Sequence, residues 1–178
     1  LFIIKDEIPD SSVLFAGEGK YLSLPEDVPF TIKLVGTGSG TVTLDTVNAD
    51  GETLSSYENI PVVAGSIAET TLQDGAVGTL TLDIDGNGVA DMDMDGTFSV
   101  ADTLKLLKER IAGISSLAVR NRLVALYRQA ERYARDIRRA GKMLADMEKI
   151  VRSQSGRTIP QASASAILIL IQDLKNRR

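Results

Sequence analysis

The stretch Asp83-Ile-Asp-Gly-Asn-Gly-Val-Ala-Asp-Met-Asp-Met-Asp-Gly-Thr-Phe-Ser-Val-Ala-Asp102 divides the chain and carries the only chemistry it declares. Carboxylates recur at alternate positions, and glycines stand where a loop must turn back on itself. A hard cation that takes about six to eight oxygens asks for this pattern. It needs side-chain oxygens at loop positions 1, 3, 5, 9 and 12, a backbone carbonyl at 7 and glycine at 6. Calcium is the expected ion, one or two according to how the run is divided.

Two frames fit. In the first, Asp83, Asp85 and Asn87 fill positions 1, 3 and 5, Gly88 makes the turn, Val89 offers its carbonyl and Asp91 is position 9. Position 12 falls on Met94, which cannot ligate calcium, so this frame is a truncated loop. The alternating Leu80-Thr-Leu-Asp83 before it reads as a strand. In the second frame, Asp91, Asp93 and Asp95 are positions 1, 3 and 5, Gly96 is position 6, Thr97 gives a carbonyl, Ser99 is position 9 and Asp102 closes the loop. Leu104, Leu107 and Ile111 then line one face of a helix. Asp91 belongs to both frames and would bridge two ions or force a choice. Ordinary local chemistry accounts for pieces of the run: Asp and Gly are turn residues, and Ser99 with Asp102 is also a capping box. It does not account for five aspartates between Asp83 and Asp95, since each close pair costs about 1 kcal/mol in water at about 4 Å without a counter-cation.

Upstream of the run the chain reads as antiparallel β. Short alternating segments recur at Ser12 to Ala16, Tyr21 to Leu24, Phe30 to Val35, Gly40 to Val47, Ile67 to Leu72 and Gly78 to Asp83, with a hairpin turn at Asn48-Ala-Asp-Gly51. Strands without intervening helices predict a sandwich over residues 1 to 98. The stretch Gly36-Thr-Gly-Ser-Gly40 joins two strands and supplies no Lys, so it reads as a hairpin rather than a phosphate loop. Downstream the period changes to that of helices, expected at about 100 to 113, 116 to 138, 140 to 155 and 160 to 176. Gly156 suits a cap after the third and Pro160 the opening of the fourth. Residues 99 to 178 are expected to form a small four-helix bundle. The fold class is therefore α+β in two domains.

Charge divides at the same place. Residues 1 to 98 carry a net −14 and residues 99 to 178 a net +10, while 12 of the 15 glycines precede residue 99. The halves should attract. Arg128, Arg132, Arg135 and Arg139 recur along the second helix with Arg138 beside them, a stripe that reads as a solvated or docked face. An anionic surface polymer is a lesser candidate for it, and nucleic acid is not expected, because no recognition motif accompanies the arginines.

Several chemistries are excluded outright. There is no Cys, so neither a disulfide nor a thiolate site can form. There is no His, which removes the commonest general base and any Ser-His-Asp or Cys-His arrangement. The longest apolar run, Ala166 to Ile171, is far short of the roughly 20 residues of a membrane span. The chain opens on Leu1-Phe-Ile-Ile4 without an initiator Met, which suggests a piece of a longer polypeptide with upstream domains as its nearest partners.

The first frame resembles the D-x-D-G-N-G-x-x-D hairpin loop of integrin-type propeller blades, and the second resembles half of a dockerin or EF-hand unit with Asp in place of the closing Glu. More diffusely, Gly19-Lys-Tyr-Leu-Ser-Leu-Pro25, Phe30-Thr-Ile-Lys-Leu-Val-Gly36-Thr-Gly38, Ile60-Pro-Val62 and the calcium hairpin are similar to the C-terminal β modules of large secreted bacterial proteins, some attached to lipase-like hydrolases. Gln154-Ser-Gly156-Arg-Thr-Ile159 and the Ala-rich last segment look like the helical tail of such proteins. The resemblance implies a non-catalytic, calcium-binding accessory module of a secreted or cell-surface protein. The alternative is an adhesion module that binds a protein or a carbohydrate, the carbohydrate disfavoured by the absence of Trp.

Overall fold

The structure is a computed structural model that describes residues 11 to 16, 19 to 25, 28 to 73, 75 to 133 and 136 to 177. The strand expected at the first four residues, and Arg135 of the basic stripe, lie outside them. Nine strands precede four helices among the described residues. They are β1 (Ser12–Ala16), β2 (Gly19–Ser23), β3 (Phe30–Val35), β4 (Gly40–Val47), β5 (Thr53–Val62), β6 (Ile67–Gln73), β7 (Ala76–Val77), β8 (Leu80–Asp83) and β9 (Met92–Met94), then α1 (Val100–Ala112), α2 (Leu117–Arg132), α3 (Ile137–Gln154) and α4 (Gln161–Asn176). The α+β class is as expected.

All strand pairs are antiparallel. β1 with β2, and β4 with β5, form two-stranded ribbons, while β3, β6, β8 and β9 lie side by side with β7 paired to β6. The alternation read from the sequence is realised in β3 and β4, where Ile32, Leu34, Val42 and Leu44 are half-buried and their neighbours face water. At the β4–β5 turn, the side-chain oxygen of Asn48 accepts from the amides of Asp50 (3.1 Å) and Glu52 (2.8 Å), the Asx chemistry that makes Asn a turn residue.

β5 hides from a period-of-two reading. The register slips between Val42 and Leu44, which face Ile60 and Tyr57. Asn59 takes φ 58° there, the left-handed conformation that Asn tolerates best after Gly. The bulge lets Tyr57 and Ile60, three residues apart, both be buried. Pro61 is tolerated because β5 is an edge strand, paired with β4 alone among the described residues.

The helices start where capping chemistry allows. Ser99 and Asp102 form a reciprocal capping box at the start of α1. Asp136 accepts from the amide of Arg139 at 3.0 Å and opens α3. The second helix was expected to run to about residue 138. It stops at Arg132, and Ile137 begins the next helix as an exposed residue, because the Asp136 cap resets the chain. Gly156, at φ 70°, turns the chain after α3. α1 packs on α2 and α4, and α3 packs on the same two.

The charge boundary near Phe98 is not a boundary in packing. Phe98 is fully buried, and one apolar cluster joins Tyr57, Ile60, Leu80, Leu82, Ile84 and Met94 to Leu106, Leu107, Ile111, Leu123, Met147, Ile167 and Leu170. A polar clasp ties the two ends of the helical segment. Buried Asp173 of α4 accepts from the hydroxyl of Thr103 in α1 (2.6 Å) and from Arg177 Nε (2.6 Å), and Arg177 also donates to the carbonyl of Phe98. By contrast, the β1–β2 ribbon leaves Leu14 and Tyr21, cross-strand partners, open to solvent.

Candidate metal centre

The first loop frame is a hairpin connection. Leu80 pairs with Met94, Thr81 with Asp93 and Leu82 with Met92, so residues 84 to 91 form the loop between β8 and β9. The amide of Asp91 donates to the carbonyl of Leu82 at 2.7 Å and closes the loop's base. Gly86 and Gly88 take φ 67° and 86°, which any other L-residue but Asn or Asp would resist. At Gly86 a Cβ would also collide with the carbonyl oxygen of Gly65, whose loop packs alongside.

Within this turn Asp83, Asp85 and Asp91 each bring a carboxylate oxygen to one place, all within 4.8 Å of one another. The group could hold a metal ion. Its members are fixed differently. Asp83 is buried and accepts three backbone amides, Gly86 (2.8 Å) and Asn87 (3.2 Å) on Oδ1 and Gly88 (2.7 Å) on Oδ2. Asp91 accepts from the amide of Ile84 at 2.8 Å. The side-chain oxygen of Asn87 accepts from the amide of Val89 at 2.8 Å, and Val89 is exposed, its backbone carbonyl being the one oxygen it could offer an ion. Asp85 is nine-tenths buried, and its Oδ1 has no hydrogen-bond partner.

A residue of α1 enters the cluster. Arg110 reaches across so that Nη1 meets Asp85 Oδ2 and Nη2 meets Asp91 Oδ1, with only 12% of its side chain exposed. Loop-spacing arguments do not find it, because it lies 19 residues beyond Asp91. A signal did exist. Thr103, Leu106, Leu107 and Ile111 form the buried face of α1, and Arg110 falls on that stripe at helical spacing. A guanidinium on an apolar face must find carboxylates.

The second frame is not brought together. Its Asp93 lies in strand β9 opposite Thr81, and Asp93 and Asp95 are exposed, while Thr97, of which the frame asks only the carbonyl, donates its hydroxyl to Glu58 at 3.3 Å. Asp102 is turned onto Ser99, accepting from its amide at 2.9 Å and its hydroxyl at 2.6 Å. Strand pairing thus holds Asp93 in β9 and helix capping engages Ser99 and Asp102, and Asp83, Asp85 and Asp91 form the only acidic cluster of this kind among the described residues.

The basic stripe has local engagements. Arg139 pairs with Asp136 at 3.2 Å and stands 5.4 Å over the Tyr133 ring, while Arg128, Arg132 and Arg138 are exposed. Among the described residues no helix is long and apolar enough to cross a membrane. No protein-family model, curated protein or solved structure matches the chain.

Proposed function

We propose that the chain is a non-catalytic, calcium-stabilised accessory module of a secreted or cell-surface protein, with its ion in the β8–β9 loop. The observation that carries this reading is the convergence of Asp83, Asp85 and Asp91 in a glycine-turned hairpin. Oxygen-only donors of this kind suit a hard cation, and with no His or Cys in the chain the softer metals lose their usual ligands. A site with so few protein ligands fits the weak end of the calcium scale, with Kd of about 10⁻⁴ to 10⁻³ M, which is useful where calcium is millimolar outside cells. On this reading the strands form a sandwich-like layer, the helices a bundle-like layer, and the loop lies where the two meet. Binding to another protein is the second reading, favoured by the open Leu14 and Tyr21 pair.

An ion that binds only the folded chain adds RT ln(1 + [L]/Kd) to its stability. Thermal unfolding in millimolar calcium should therefore have a higher midpoint than in chelator. An unchanged midpoint would overturn the reading.

A further inference from the structure

Arg110 already gives the acidic cluster a cation. Its guanidinium spans Asp85 and Asp91, two of the three carboxylates that would hold calcium. It does so incompletely. One positive charge faces three carboxylates, and Asp85 Oδ1 stays buried without a partner. A buried carboxylate oxygen left unsatisfied costs free energy, and a divalent ion would both satisfy it and offset more of the negative charge. Yet calcium and the guanidinium cannot both sit between Asp85 and Asp91 without strong mutual repulsion.

We propose, resting on the calcium reading of this loop, that Arg110 and calcium exchange at Asp85 and Asp91. Arg110 holds the site closed in the ion-free protein and is released from both carboxylates when the ion enters. Asp83, already fixed by three backbone amides, is the constant member of the site. Ion occupancy is thereby linked to the contact between α1 and the β8–β9 loop, since Arg110 is the side chain of α1 that reaches both carboxylates. Competition of this kind reduces the apparent affinity by the fraction of molecules in which Arg110 has left the carboxylates, and a minor state populated to about 0.1–10% lowers it about 10- to 1,000-fold.

Calorimetric titration of calcium into wild type, Arg110→Gln and Arg110→Lys tests the exchange. Arg110→Gln should bind calcium about 10- to 1,000-fold more tightly, with Arg110→Lys between it and wild type. Calcium binding by Arg110→Gln alone would overturn the exchange and the calcium reading of the native chain together, since no ion would then displace the native Arg110. Equal or weaker binding by Arg110→Gln, with wild type still binding, would overturn the exchange and leave the calcium reading standing. No binding by any of the three would overturn both. Should the variants fail to fold, the Arg110 side-chain Nε–H resonance of wild type decides: it should move toward that of a solvent-exposed arginine as calcium saturates, and a resonance that stays in place overturns the exchange.

Discussion

The three clustered aspartates have different work to do, and the difference can be measured. Asp83 organises the loop whether or not an ion is bound, because it accepts the amides of Gly86, Asn87 and Gly88. Asp83→Ala should therefore lower stability by about 1–3 kcal/mol even in chelator, from the charge-assisted hydrogen bonds it loses. Chemical denaturation with and without chelator checks this, and a loss seen only with calcium present would assign Asp83 to the ion alone. Asp102 is the contrast. Its carboxylate belongs to the capping box with Ser99, so Asp102→Ala should cost about 1 kcal/mol and leave calcium stoichiometry unchanged. A lost ion in that variant would restore the second loop frame. At this scale the sequence was half legible. Asp83, Asp85 and Asp91 follow from spacing, but Asp93 and Asp95 obey the same grammar and are spread along and beyond a strand. Arg110 could be found only by asking what a charge was doing on a buried stripe.

The β8–β9 hairpin depends on two left-handed glycines, and Gly86 is the more constrained because the Gly65 carbonyl stands where its Cβ would be. Gly86→Ala should destabilise the fold by more than about 1 kcal/mol, whereas a tolerated Gly-to-Ala change stabilises by about 0.4–1 kcal/mol. An unaltered denaturation midpoint would show that the loop can move away from Gly65. Between α3 and α4, Glu148 takes Arg152 at 2.7 Å and Lys175 at 3.0 Å. The hydrogen bond from Arg152, then that from Lys175, holds its carboxyl below the usual carboxylate range. A depressed pKa contributes stability above the ordinary carboxylate pKa and loses it as pH falls through the lowered one. The gap in thermal midpoint between wild type and Glu148→Gln should thus be small but present near neutral pH and vanish in strong acid, small because the pair is solvent-screened. The helices were legible where caps and period agree, as at Ser99 and Gly156, but the Asp136 cap that interrupts the run expected to reach residue 138 was not. β5 was not, since the bulge at Asn59 and Pro61 break the alternation by which strands are recognised.

Across the whole molecule, composition and packing disagree. Net charge changes sign near Phe98, yet the side chains on either side share one apolar cluster. Composition reports what faces water, whereas a domain boundary is a property of what does not. The seam should accordingly hold when charges are screened. Scattering profiles at low salt and at about 1 M, where the screening length is about 3 Å, should superpose. Expansion at high salt would mean that opposite charge holds the halves together.

The clasp of Thr103, Asp173, Arg177 and Phe98 carries a consequence for the order of folding. Its partners lie 70 and 79 residues apart, so it can form only after the intervening helices have closed a long loop of chain. A contact of that kind belongs to the native side of the folding barrier. Arg177→Ala should then speed unfolding in proportion to the stability it removes, about 2 kcal/mol, while the refolding rate stays nearly constant. Stopped-flow traces would show the unfolding limb shifted and the refolding limb overlaid. The last turn of α4 acts as the latch that sets how long the finished molecule stays folded.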